Sequence, residues 1–461
     1  RDDAQGRYDE ELTEMDAPRP SPIGGPLLAG ARSRLTIAGA AVVCLWIAVL
    51  WACLSEPTRK ATAPPPSEVV HALRLVVASG QAAPGGGSFD RFDVGSQPIV
   101  APVNSRGQVA FYASVARAKA AEGIFLATAS GITKVAAVGD TVPGGGVLSE
   151  FARHPLPSLN DAGKIAFGAS VAGARASEGI FLAAEGRLKV IALSGTDAPG
   201  VRSGTFVEFD TPVLNNRDEI AFVATVRRGR ETLPVLYLYS SGVLRKLVAS
   251  GDVAPRGGTF DRFGLPAINN RGLVAFPAIV EHGAILGGIF AVGASELRLL
   301  VGAGEIGPGG QMLVRFSERA AIDDEDNTAF VAHLGSSTTS EALLIANASG
   351  LTQLAVTGEA APGGGRFSAF GPWPNFGRNG AIAFVAAVDD GPGPLGIYIG
   401  SPGAIRRVAM VGDRLANGSV LPSLALNSVT SAGSNDGLTF ATMTNPEEGR
   451  NGIYYYGPPG S

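Results

Sequence analysis

The sequence predicts an all-β fold, a seven-bladed β-propeller of four-stranded repeats, with one membrane-spanning helix ahead of it. Three observations predict it. Phenylalanine recurs at positions 111, 167, 222, 276, 330, 384 and 440, each time preceded by Ala or Thr, so the steps are 56, 55, 54, 54, 54 and 56 residues. A unit that short cannot bury its own apolar faces and must stack on its neighbours. Each unit holds four short apolar runs divided by tight turns, in keeping with 63 Gly and 31 Pro among 461 residues. The repeat is also out of phase at its two ends. The last copy stops after its third run, Gly452-Ile453-Tyr454-Tyr455, while Leu73-Arg74-Leu75-Val76-Val77-Ala78-Ser79-Gly80 precedes the first copy and matches a fourth run such as Leu244 to Gly251. A ring whose last blade is completed by the N-terminal strand uses both fragments and leaves no open edge. An open superhelix of β units leaves the offset unexplained.

From the N-terminus, residues 1–34 carry five Arg and seven Asp or Glu among several Pro and read as a disordered cytoplasmic tail. Residues 35–54 (LTIAGAAVVCLWIAVLWACL) hold no charge over 20 positions, the length a helix needs to cross a bilayer. They are expected to act as a retained anchor with the N-terminus inside. The competing reading is a cleaved or lipidated export signal, because Leu50-Trp51-Ala52-Cys53 partly resembles a lipobox whose Cys53 is acylated. Residues 55–71, rich in Pro, read as an extended spacer. The propeller occupies 72–461. Both cysteines, Cys44 and Cys53, lie ahead of it, so the repeats contain no disulfide and rest on packing.

Within a unit, the fourth copy shows the runs well: Leu265 to Ile268, Leu273 to Ile279, Gly288 to Ala291 and Leu297 to Val301. Asn-x-x-Gly joins the first two, as Asn104/Gly107, Asn160/Gly163 and Asn269/Gly272. The Asn side chain caps the turn and Gly supplies positive φ. The copies Asn215/Asp218, Asp323/Asp326 and Gly377/Gly380 keep residues that tolerate a turn. Both faces of the second strand are apolar or small, as where sheets pack face to face. Pro157, Pro212 and Pro266, each three residues before the turn, suit an innermost strand with one unpaired edge.

The motif Asn-x-x-Gly-x-x-Ala-Phe (Asn104 to Phe111, Asn160 to Phe167, Asn269 to Phe276), together with the Gly-Asp-x-Ala-Pro-Gly-Gly type of loop, resembles the bacterial choice-of-anchor tandem-repeat NxxGxxAF-containing proteins. The resemblance covers nearly everything from Leu73 onward. It implies an exported protein of the bacterial cell envelope with its repeats outside the cytoplasm, and no particular activity. The fifth and seventh copies, Asp323 to Phe330 and Gly433 to Phe440, depart most from the motif.

Net charge of -4 with 17% charged residues argues against nucleic acid as a partner, since phosphate tracking needs a basic face. The loops Gly80 to Gly87, Gly139 to Gly146, Gly251 to Gly258 and Gly358 to Gly365 lack the helix and Lys-Ser/Thr pair of a phosphate cradle and read as inter-blade turns. Their second position is acidic at Asp140, Asp252, Glu305, Glu359 and Asp413. Gathered near the axis, these carboxylates would form a ligand ring for Ca²⁺; otherwise each accepts backbone N–H groups in its own turn. The run Asp323-Asp324-Glu325-Asp326 offers the same two readings without EF-hand spacing. His71, His154, His282 and His333 share no repeat position, and no nucleophile elbow is present. No catalytic residue and no cofactor other than that Ca²⁺ follows from the sequence.

The connections between second and third strands vary most: Ala116 to Glu122, Arg227 to Pro234, Glu281 to Gly287, Gly335 to Glu341 and Asp389 to Pro394. They share a face with the Gly-rich loops, and variable loops on a rigid scaffold suit binding. The expected function is therefore a membrane-anchored recognition or scaffold module that binds a protein or glycan through that face and is not an enzyme. The alternatives are an extracytoplasmic glycan-acting hydrolase or lyase, and a purely structural surface protein.

Overall fold

The computed structural model describes residues 73–457 apart from 94–98, 100, 152–155, 295, 336–339, 378, 416–419, 425–430, 433–436 and 446–449. The expected tail, membrane segment, Cys53 and spacer lie outside the described residues, as do His71 and His154. Among the described residues no helix is long and apolar enough to cross a membrane, and every named element is a strand.

Seven antiparallel sheets form the blades of a propeller. In blade 4 the order from the axis outward is Thr259–Phe263 with Ala267–Ile268, then Val274–Glu281, Gly287–Val292 and Leu297–Gly302. The innermost strand is thus in two pieces on one partner, with Phe260 opposite Val280 and Ile268 opposite Val274. This extends the expected single strand over Leu265 to Ile268. Two features explain the break. Pro266 has no N–H for the ladder, and Leu265 turns away to donate its N–H to the Glu318 carbonyl of blade 5 at 2.9 Å. Gly264 permits that approach, because a Cβ there would lie 2.3 Å from the same oxygen.

The ring closes as the phase offset predicts. Leu73–Ala78 pairs with Arg450–Tyr456, Leu73 facing Tyr456 and Ala78 facing Gly452, and so supplies the outermost strand of blade 7. The Ser79 N–H donates to the Asn451 carbonyl at 2.9 Å, and its hydroxyl donates to the Asn451 amide oxygen at 3.0 Å. From blade 7, the Thr439 hydroxyl donates to the Ala101 carbonyl of blade 1.

Strand periodicity explains why both faces are apolar. In Val109–Ala116, Val109, Phe111, Ala113 and Val115 enter a core shared with Ala441 and Ile453 of blade 7, while Ala110 and Tyr112 enter one shared with Phe151 and Phe167 of blade 2. The recurrent Phe stacks on an aromatic of the next strand in its blade: Phe111 on Phe125, Phe167 on Phe181, Phe276 on Phe290 and Phe440 on Tyr454, with centroids 5.7 to 5.8 Å apart. Such pairs add about 0.5–1.5 kcal/mol to the burial itself.

The Asn turns have the expected backbone. Positive φ occurs at Gly107, Gly163, Gly272 and Gly380, and also at Asp218 (63°) and Asp326 (67°) where Gly is replaced. Each Asn oxygen caps its own turn: Asn269 Oδ1 accepts the N–H groups of Arg271 and Leu273, both at 3.0 Å. The amide does something the sequence did not show. It donates to the equivalent carbonyl of the next blade, Asn104 to Asn160, Asn160 to Asn215, Asn215 to Asn269 and Asn269 to Asp323, at 2.8 to 3.2 Å. A second ladder joins the following residues, since the N–H groups of Ser105, Asp161, Asn216 and Asn270 donate to side-chain oxygens of Asp161, Asn216, Asn270 and Asp324.

Candidate functional site

Among the described residues the Asn-type turns lie at one end of their sheets, so the Gly-rich loops and the variable second-to-third-strand connections lie together at the other. The two sets touch. A Cβ on Gly258 would sit 2.6 Å from the Glu281 carbonyl oxygen, and one on Gly365 would sit 2.5 Å from that of Asp389. Both glycines also have positive φ, so the last Gly of the loop is required twice over.

The five acidic loop residues sit where the outermost strand ends, one to a blade. Asp140, Asp252 and Asp413 each accept the N–H of the residue three earlier at 2.8 Å, and Glu359 does so at 3.1 Å. A side chain of the same outer strand engages the second oxygen: Lys134 with Asp140, Lys246 with Asp252, Gln353 with Glu359, and Arg407 near Asp413 at 3.6 Å. Glu305 instead reaches Arg256 on the preceding inter-blade loop at 3.0 Å. The sequence reading that gathered these loops near the axis is corrected to this extent: the carboxylates lie at the outer strands, because their partners are there. Among the described residues no three His, Cys, Asp or Glu side chains come together as a metal site.

The run Asp323 to Asp326 lies on the opposite face. Asp323 caps its turn through the N–H groups of Glu325 and Asn327, Asp324 accepts the N–H and amide of Asn270, and Asp326 pairs with Arg271. That guanidinium holds the Asp326 carboxyl below its ordinary value. His282, with φ of 58°, sits in the exposed connection of blade 4. His333 is the histidine that meets a cavity.

That cavity is a cleft of about 880 Å³ on the loop face, bordered by Asp210 of blade 3, Arg262 to Leu265 of blade 4, Val314 to Arg319 of blade 5, and Phe370 and Trp373 of blade 6. Three of its lining residues share one repeat position: Leu265, Arg319 and Trp373, like Leu156 and Thr211 in their own copies, each stand four residues before the turn residue, in the gap of the split innermost strand. Trp373 packs against Leu156 of blade 2, and the Arg319 guanidinium carbon lies 4.8 Å over the Trp373 ring. Arg319 as a residue keeps some solvent contact, but its Nε is fully enclosed and has no hydrogen-bond partner among the described residues. Burial alone lowers its pKa to about 10.

On the wall, His333 Nδ1 lies 3.4 Å from Glu341 Oε1, within ion-pair range yet without a hydrogen bond. Burial, then Arg315, lowers the His333 pKa, and Glu341 opposes this. The other Glu341 oxygen accepts the Phe370 N–H of blade 6 at 2.8 Å. Glu122 and Glu178 hold the same position in their blades and accept the N–H groups of Phe151 and Phe209 at 2.6 and 2.8 Å. The glutamate is therefore a staple between blades, and the histidine is peculiar to blade 5: Ser114, Ser170, Thr225, Ile279 and Ala387 occupy its place elsewhere. None of Arg315, Arg319, Glu341 and Trp373 was singled out by the sequence reading. For Arg319 and His333 the available signal was a departure from the repeat, whereas Glu341 recurs as Glu122 and Glu178 and Arg315 stands where Arg262, Glu208 and Glu150 stand in other blades.

No curated protein matches the chain. Among solved structures, it is similar to an oligogalacturonate lyase in complex with manganese, at 12% identity and a TM-score of 0.47 over 85% of this chain and 99% of that one. It is also similar to a puromycin hydrolase, at 15% identity and 0.45 over 78% and 53%, and to TolB from Acinetobacter baumannii, at 13% identity and 0.34 over 64% of each. At these identities and scores the likenesses say nothing of this chain's ligand or activity. The sequence itself matches one family twice, over residues 67–285 and 280–455, so the chain belongs to the Family of unknown function (DUF7453).

Proposed function

We propose that this protein is a non-catalytic recognition module that binds an anionic group of its partner in the loop-face cleft. The carrying observation is Arg319. A guanidinium at the wall of a cleft, with its Nε enclosed and without a hydrogen-bond partner among the described residues, costs folding free energy, and perturbed charges of that kind concentrate at sites where a ligand completes the pairing. Segment 35–54 fits a tether at the bacterial cell envelope with the propeller outside, as the resemblance to the NxxGxxAF-containing proteins also suggests. Mass spectrometry of the mature protein tests the tether: retention of 35–54 supports it, and an acylated N-terminal Cys53 replaces it with a lipid anchor. A Ca²⁺ role for Asp140, Asp252, Glu305, Glu359 and Asp413 is no part of this reading, because four of those side chains are engaged by their own loop and outer strand and Glu305 by Arg256.

The binding test is a melting-temperature panel of carboxylates, acidic glycans and peptides on the full chain beside Arg319→Gln. Stabilisation by an anionic compound should vanish in the variant. Equal stabilisation of both proteins refutes the reading. His333 and Glu341 in the same cleft favour one rival, acid–base catalysis on a glycan by a hydrolase or lyase. Turnover of a panel member that His333→Gln abolishes would establish that rival.

A further inference from the structure

The cleft combines its buried cation with a feature that function as an anion site does not require. Ile279, Leu286 and Val314 border it with 42%, 65% and 47% of their surfaces exposed. The patch continues outward: Met312 and Val314 both lie 3.4 Å from a Cβ placed on Gly335, and Met312 is bridged to Ile306, itself 63% exposed. Exposed aliphatic side chains grouped around one cleft offer a place for a partner's apolar group. The aromatic rings, by contrast, are taken. Trp373 carries Arg319 and packs on Leu156, while Phe263 and Phe316 meet Phe276 and Phe330 edge to face with centroids 5.8 and 5.6 Å apart. A pyranose would find little free aromatic face there for its C–H groups, whereas an aliphatic side chain finds exposed Ile279, Leu286 and Val314.

Resting on the anion-binding reading, we infer that the partner is a polypeptide whose free C-terminal carboxylate pairs with Arg319 and whose last aliphatic side chain lies against Ile279, Leu286 and Val314. Arg319 borders the cleft and as a residue keeps some solvent contact, so its guanidinium can meet a ligand carboxylate through the charge-assisted bonds that Arg favours. Arg315 borders the same space, and the cleft volume suits a few residues of extended chain. Asp210 and Glu318 also border the cleft and disfavour a second anionic group on the ligand.

The test measures fluorescence anisotropy of labelled pentapeptides ending in Leu, as free acid and as C-terminal amide, with the full chain, and with an acidic oligosaccharide as competitor. The free acid should bind about tenfold more tightly than the amide. Arg319→Gln should erase that preference. Leu286→Ser with Val314→Ser, both at exposed positions, should weaken the free acid by about fivefold at an unchanged melting temperature. Equal binding of acid and amide overturns the inference. Binding of the saccharide but not the peptide overturns it too and leaves anion binding standing, whereas failure of every anionic probe overturns both.

Discussion

Asn215 of blade 3 donates its side-chain amide to the main-chain carbonyl of Asn269, 54 residues later in blade 4, at 2.8 Å. Its oxygen meanwhile accepts the N–H groups of Arg217 and Glu219, each at 2.9 Å. One buried side chain thus closes its own turn and ties two blades together, which explains why Asn stands where Asp or Ser would suffice for a turn alone. The amide also reaches Glu219 at 2.8 Å; in blade 5 the pair is exchanged, with Asn327 donating to Asp323 at the same distance. Asn215→Ala should cost about 2–4 kcal/mol in urea unfolding, because three partners lose a buried bond. Asn215→Asp should cost a similar amount, since it keeps the cap but sets an acid against Glu219 and a carbonyl. A loss below about 0.5 kcal/mol in both would remove the inter-blade role.

Tyr237 stacks on Phe222 with its hydroxyl buried and without a hydrogen-bond partner among the described residues, and burial raises its pKa above the ordinary tyrosine value. Phe125, Phe181 and Phe290 fill the equivalent place in other blades. Tyr237→Phe should therefore stabilise by about 1 kcal/mol, the desolvation cost of an unpaired group less any relaxation. Chemical denaturation of the variant checks the sign.

His333 gives the chain a specific response to acid. Its pKa is held below the ordinary 6.5 by burial and Arg315, against the opposing pull of Glu341. Below about 6.5 the unfolded chain takes up a proton that the folded chain resists, so the stability contributed by neutral His333 is complete above that pH and is lost as pH falls toward the folded value. Melting temperatures between about pH 7.5 and about pH 5 should fall more steeply for the wild type than for His333→Gln. Parallel curves would show that another group governs that range.

Ring closure was legible in the sequence because a missing fourth run at one end and a spare one at the other are both visible as text. The turn was legible because Asn and Gly have local conformational reasons to sit where they do. Half of Asn's work was hidden, since its amide partner lies 54 residues away and only stacking of the blades brings the two together. The split innermost strand was hidden for a related reason: Leu265 bonds to blade 5, and no local pattern announces that. The cleft was the least visible. Leu156, Arg319 and Trp373 are ordinary residues in their own copies, and they meet because a ring carries one repeat position to the same axis. The recurrence of acidic residues in the loops has a local cause at Asp140, Asp252, Glu359 and Asp413, each of which accepts the N–H of the residue three earlier.

On the anion-binding reading Arg319 serves a ligand at the expense of the fold, which unfolding free energy and anionic-probe binding on one preparation of Arg319→Met would measure, since Met keeps apolar contact with Trp373 while removing the charge. The variant should be more stable than the wild type by about 1–3 kcal/mol, the cost of an unsatisfied buried donor, and should no longer bind. A variant that is less stable than the wild type and still binds would contradict the account.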